Sequence, residues 1–238
     1  MPPYIRATRV SSEISDMIVA DLALTVAFTI IFTGGLSSFN ILTFVSFLPI
    51  SFVAVSLSFI LHEYMHKKVA QRFGAMAAFK KWDSGIVITL LSSLFGFLIG
   101  LPGATMIYSN TFTTEEEGYV SLAVPLTNFA VFIVFFIIAI FAGSSLSQYL
   151  QSMVGVTMFI SVWLAFFNML PVYPLDGSKV LRWNKAVYAA CIILIFVFLY
   201  VAATMVFGLQ ALSLVESMVF AFAIALAFSY MFRITRIF

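Results

Sequence analysis

The chain has 238 residues, 63% of them hydrophobic and 9% charged, with a mean hydropathy of +1.11, an apolar excess that excludes an ordinary water-soluble domain and points to lipid as the solvent. A net charge of +2, with the basic residues set in short clusters between apolar runs, excludes a nucleic-acid partner. The single cysteine, Cys191, excludes an intramolecular disulfide and a cysteine-built metal site.

Residues 1–15 lack the basic start, short apolar stretch and small-residue cleavage site of a signal peptide, so this segment is expected to be retained. Runs long enough to cross about 30 Å of hydrocarbon as helices lie at 17–33, 44–66, 119–142, 153–170, 186–207 and 212–231. A further apolar run, 85–101, has the length of a seventh. Charge separates the two counts. All 12 basic residues fall in four segments: Arg6 and Arg9; Lys67 to Lys81; Lys179 to Lys185; and Arg233 with Arg236. The alternate connections 34–43, 143–151 and 208–211 contain none. Six crossings therefore put every basic residue on one side, which the positive-inside rule makes cytoplasmic, together with both termini; a seventh would export the last two groups.

Residues 79–112 are then expected to enter the membrane and leave on the same side, or to lie against it. The runs 85–91, 95–101 and 104–108, interrupted by Gly96, Gly100, Pro102 and Gly103, read as strands of a small sheet beside a polar site. Non-helical backbone at that depth survives only where protein or a water-filled cavity satisfies it. A helical re-entrant hairpin is the alternative. The expected fold is all-α and polytopic: six transmembrane helices, with a small membrane-associated β-sheet between the second and third. Residues 1–238 are read as one domain, its core at about 44–182 and helices 17–33, 186–207 and 212–231 flanking it.

His62-Glu63-Tyr64-Met65-His66 is an HExxH pentad, and it holds both histidines of the chain. Positions i and i+4 share a helix face, so both imidazoles can reach one zinc ion, with Glu63 beside them to take a proton from water. A pair of hydrated histidines at a helix end is the plainer reading of the same residues. A catalytic zinc takes three protein ligands and keeps one open position, and with no histidine left the third donor is read as a carboxylate. Glu115 to Glu117 suit a helix start, Asp83 sits among Lys80, Lys81 and Trp82, and Asp21 and Glu216 lie near the ends of their helices. Asp176 follows an apolar helix in Asn168-Met-Leu-Pro-Val-Tyr-Pro-Leu-Asp-Gly177, where two prolines end regular helix and Gly177 permits an unusual turn. By the charge argument it reaches the same side as the pentad.

HExxH on one membrane helix and NxxPxxPLDG after a later one resembles the site-2 protease family of intramembrane metalloproteases. The resemblance implies a zinc site built from His62, His66 and Asp176, with Glu63 as the catalytic base, that cuts the transmembrane segments of its substrates. Ala123-Val-Pro-Leu-Thr-Asn128 is similar to a Gly-Pro-x-x-Asn element of that family, with Val124 where glycine is usual; it implies a substrate-binding amide at Asn128. The family's membrane-associated sheet falls at 79–112, where an exposed edge could receive an unwound substrate segment by strand addition. The segment 95–104 is similar to one in archaeal and some bacterial members, and the implied location is a prokaryotic cell membrane. The implied partners are a transmembrane protein substrate and lipid. A zinc transporter and a proteolytically silent scaffold are the competing readings. Transport favours several polar sites in series, whereas here the histidines and Asp176 converge on one place.

Overall fold

The structure, a computed structural model, describes residues 3–100, 102–109 and 111–208, and beyond them 215–216, 218–219, 222–223, 226–227 and 230. Among the described residues five helices have the length and apolarity to cross a membrane: Ser12–Phe32, Ile41–Arg72, Thr114–Ser145, Gln148–Asn168 and Lys185–Val206. Each contains or overlaps one of the first five predicted spans. The sixth, 212–231, lies for the most part outside the described residues. The chain divides into two compact units, Met1–Asn110 and Thr111–Phe238.

In the first unit, α1 (Pro3–Phe32) carries a file of threonines at i, i+4 spacing. The Thr29 hydroxyl donates to the Thr25 carbonyl at 2.7 Å and the Thr33 hydroxyl, just past the helix end, to the Thr29 carbonyl at 2.8 Å, so the last two hydroxyls of the file are satisfied by the helix backbone. After a turn, the Asn40 side chain accepts the Leu42 and Thr43 amides and starts α2 (Ile41–Val55). A π-helical turn at Ser56–Ile60 then passes directly into α3 (Leu61–Arg72). The Ser56 hydroxyl donates to Asp21 at 2.7 Å, fastening that turn to α1. Asp21 is thus well inside α1 and buried, not at a helix end as its sequence position suggested.

Strands β1 (Met76–Lys81) and β2 (Gly103–Tyr108) pair antiparallel, with Phe79 opposite Thr105 and Lys81 opposite Gly103. Between them lies a helix, α4 (Asp83–Leu94), where the sequence suggested a strand over 85–91. Helix wins because it satisfies its own backbone at membrane depth, as an unpaired strand cannot. Its hydroxyls then hold the following loop: Thr89 donates to the Ile99 carbonyl at 2.8 Å, and Ser92 accepts the Ile99 amide at 3.0 Å. The described part of the predicted segment, 95–100, is therefore a tethered loop, the predicted run 104–108 lies in β2, and β1 begins upstream of the expected boundary. At Gly103 a Cβ would stand 2.5 Å from the Lys80 carbonyl oxygen and 2.7 Å from the Phe79 ring, so only glycine allows the strands this close.

In the second unit, Thr113 and Glu116 form a capping box that starts α5 (Thr114–Ala142). Helix α6 (Gln148–Asn168) packs back on it, followed by α7 (Asp176–Trp183) and α8 (Lys185–Phe207). Phe129, Phe132, Met158, Val162, Ile195 and Leu199 form the common core. Phe132 stacks on Phe198 at 4.6 Å between centroids. Where lipid competes as an equally apolar solvent, close van der Waals fit holds such helices together. Small residues make the fit possible: a Cβ on Gly118 would fall 2.4 Å from the Trp183 ring, and one on Gly177 would fall 2.1 Å from the Met169 carbonyl oxygen.

Gly177→Ala should therefore lower the thermal midpoint in detergent by an overpacking cost of about 1–3 kcal/mol. Gly143→Ala, where a Cβ meets nothing within 4 Å, should leave it unchanged. Equal midpoints in the two variants would contradict this account of the Gly177 approach.

Candidate metal centre

The first unit contains His62, Glu63 and His66. One helical turn along α3 separates the histidines, and their rings meet edge to face with centroids 5.3 Å apart. His62, Glu63 and His66 are 3%, 6% and 8% exposed, a concentration of titratable groups unusual for the inside of a membrane protein. Glu63 is held at one end: its Oε2 accepts the Thr105 amide at 3.0 Å and the Thr105 hydroxyl at 2.7 Å. Its other oxygen, Oε1, stands 3.9 Å from His62 Nε2. The carboxylate therefore bridges from the strand edge toward the histidine pair.

A second glutamate steadies the same assembly from the opposite edge. Glu13 of α1 receives Lys67 Nζ at 2.7 Å and the Phe79 amide at 3.1 Å, and Asp16 receives the Lys81 amide at 3.4 Å. Lys67 directly follows His66, so α1 grips α3 and β1 together. Phe79 and Thr105 are register partners whose amides both point away from one another, as in a non-hydrogen-bonded antiparallel pair. Each of these outward amides ends on a glutamate.

The second unit contains Asp176 and Asn128. Asp176 opens α7 and is 5% exposed. Its Oδ1 accepts the Ser121 hydroxyl of α5 at 3.0 Å and lies 3.2 Å from Lys179 Nζ. Asn128, on α5, is fully buried, and neither its amide nitrogen nor its oxygen makes a hydrogen bond among the described residues. A buried amide left unsatisfied costs about 1–3 kcal/mol per group.

The remaining acidic candidates have other employment. Asp83 pairs with Lys81, Glu116 closes the capping box, Glu117 pairs with Arg182, and Glu216 is exposed. His62, His66 and Asp176 are each buried and each offers one ligating atom. Two imidazole nitrogens and a carboxylate oxygen are the donor chemistry of catalytic zinc. Thr105, Ser121 and Glu13 carry no motif, and the sequence offered no signal for them: their roles arise from partners 42, 55, 54 and 66 positions away.

The family model of Peptidase family M50 matches residues 84–190, a stretch that includes β2, Asn128 and Asp176. A protein of Methanocaldococcus jannaschii is 41% identical over 180 residues, covering 74% of this chain and 87% of that protein. A Bacillus subtilis protein is 27% identical over 154 residues, covering 58% and 69%. Both bear the name "Putative zinc metalloprotease". A second M. jannaschii protein, named a zinc metalloprotease, is 26% identical over 136 residues, or 57% of this chain and 34% of that one. No solved structure matches.

Removing the Glu13 carboxylate should loosen α3 and β1 at once. Glu13→Ala is expected to lower the thermal midpoint by the loss of a charge-assisted contact and a backbone acceptor, about 1–3 kcal/mol. Glu13→Gln should recover part of the loss, because an amide oxygen still accepts the Phe79 N–H.

Proposed function

This chain belongs to peptidase family M50, and we propose that it is a zinc metalloprotease that hydrolyses peptide bonds within or beside the transmembrane segments of other membrane proteins. The observation that carries the reading is the pair of buried imidazoles on one face of α3, with the Glu63 carboxylate held beside them. His62 and His66 would supply two ligands, and Asp176, a buried carboxylate fixed by Ser121, the third. When bound, zinc acidifies water and polarises the scissile carbonyl.

The protein's own groups then have distinct tasks. Glu63 Oε1, on the side facing His62, accepts the proton of the attacking water and returns it to the amine nitrogen as the peptide bond breaks. The Asn128 side chain, without a hydrogen-bonding partner among the described residues, donates to a substrate carbonyl or accepts a substrate amide. A helical substrate hides its carbonyls in its own hydrogen bonds and must first be drawn out. Strand β2 supports the reading that an unwound segment is taken up by edge addition, which satisfies its backbone inside the membrane. The distribution of basic residues supports cytoplasmic termini and hence a pentad near the cytoplasmic face of a cell membrane. Substrate and surrounding lipid are the partners.

The test is cleavage of a single-span membrane protein by the purified chain in detergent, wild type beside Glu63→Gln, with zinc measured in both. Glu63→Gln should retain its zinc and lose about 100- to 10,000-fold in kcat, the scale of a lost general base. Zinc in both proteins with no cleavage by either would return the chain to the transport or scaffold reading, and zinc in neither would remove the metal site.

Asn128→Leu should separate stability from activity. Removing a buried amide that has no partner among the described residues should raise the thermal midpoint, while kcat/KM falls about 100-fold or more, as for other lost donors to a developing oxyanion. A variant both stable and fully active would assign Asn128 to packing alone.

A further inference from the structure

Glu63 can serve as a base only if one oxygen is presented to the water while the carboxylate is kept from rotating. A glutamate side chain has three rotatable bonds, and on its own helix His62 Nε2, at 3.9 Å from Oε1, is too far to hydrogen-bond it. The restraint comes from β2. Thr105 donates twice to the same oxygen, Oε2, from its amide at 3.0 Å and from its hydroxyl at 2.7 Å. The hydroxyl also lies 3.2 Å from the Glu63 carbonyl oxygen, so the threonine follows the helix backbone as well as the carboxylate. With Oε2 held there, Oε1 stands on the His62 side, 3.9 Å from Nε2.

We propose that Thr105 is the positioning residue of the reaction, fixing the Glu63 carboxylate so that Oε1 faces the metal side. The inference rests on the metalloprotease reading above. It follows that the general base is anchored to the strand whose edge would receive the substrate, and a single residue sets both in one frame. The Thr105 amide points away from β1, so its engagement with Glu63 costs the ladder nothing. An added strand must then pair with β2 on either side of that amide rather than through it. A resting-state latch is the opposite arrangement, in which Thr105 sequesters Glu63 until substrate displaces it. The two differ in sign: losing a latch lowers KM and spares kcat, whereas losing a positioning contact lowers kcat and spares KM.

Thr105→Val removes only the hydroxyl, keeps the amide, and is well tolerated in a strand; Thr105→Ser keeps the hydroxyl. Both are assayed on the single-span substrate in detergent, with thermal midpoint and zinc content measured and Glu63→Gln alongside. The valine variant should lose about 10- to 100-fold in kcat, the scale of a hydrogen bond to a charged group, with KM, zinc and midpoint close to wild type. The serine variant should restore most of the rate. An unchanged kcat in the valine variant, with or without a lower KM, overturns the proposal. So does a serine variant as slow as the valine one, which would assign the effect to the methyl group. Loss of zinc in step with rate also overturns it, by making Thr105 a support of α3 rather than of Glu63. A wild-type protein no faster than Glu63→Gln would instead remove the metalloprotease reading itself, and this inference with it.

Discussion

Inside hydrocarbon, a polar atom that is not hydrogen-bonded by protein has no water to turn to, and the first unit is arranged around that constraint. A two-stranded sheet has two edges, each a row of unpaired amides and carbonyls. Here the outward amides of Phe79 and Thr105 end on Glu13 and Glu63, one carboxylate from α1 and one from α3. The sheet needs glutamates to lie at this depth, and the glutamates need the sheet to be buried as charges. Lys67 completes the first arrangement by supplying a countercharge to Glu13.

The same constraint explains which parts of the fold were legible beforehand. Helical spans could be read because 20 or so apolar residues leave a chain in lipid few alternatives. Likewise the pentad was legible because chemistry and helical period coincide in five consecutive residues. The run 85–94 was not, since its glycine, β-branched and leucine content suits strand and helix alike, and hydropathy reports burial rather than period. What decides it is whether Thr89, Ser92 and Ser93 can satisfy themselves and the loop that follows, which depends on Ile99 and on helical carbonyls. Strand β1 was still less visible. Met-Ala-Ala-Phe-Lys-Lys has little strand propensity, and it is a strand because β2 pairs one edge while Glu13 and Asp16 accept amides from the other.

Site residues divide along the same line. His62, His66 and Asp176 could be nominated from residue type, spacing and exclusion of other carboxylates. Glu13, Thr105 and Ser121 could not, because a threonine in a short strand or a serine on an apolar helix has no pattern of its own. They hold the groups expected to do chemistry, and long-range contacts alone identify such supports.

Two buried side chains show how differently one fold treats a polar group in lipid. Asp21 is 3% exposed, and Ser56 meets one of its oxygens across to the π-helical turn; the contact joins α1 to the helix that ends in the pentad, so the burial of Asp21 is tied to local architecture. Asn128 is equally buried, yet among the described residues both ends of its amide are left without partners. A packing position would have been filled more stably by leucine, which occupies a similar volume and needs no hydrogen bond. On the proposed function, such an amide is what a binding group requires, since a side chain already saturated by its own protein has nothing to offer a substrate backbone. On the same reading, stability surrendered at Asn128 is the physical counterpart of binding capacity, whereas Asp21, whose Oδ1 is also without a partner among the described residues, keeps one contact that joins α1 to the π-helical turn.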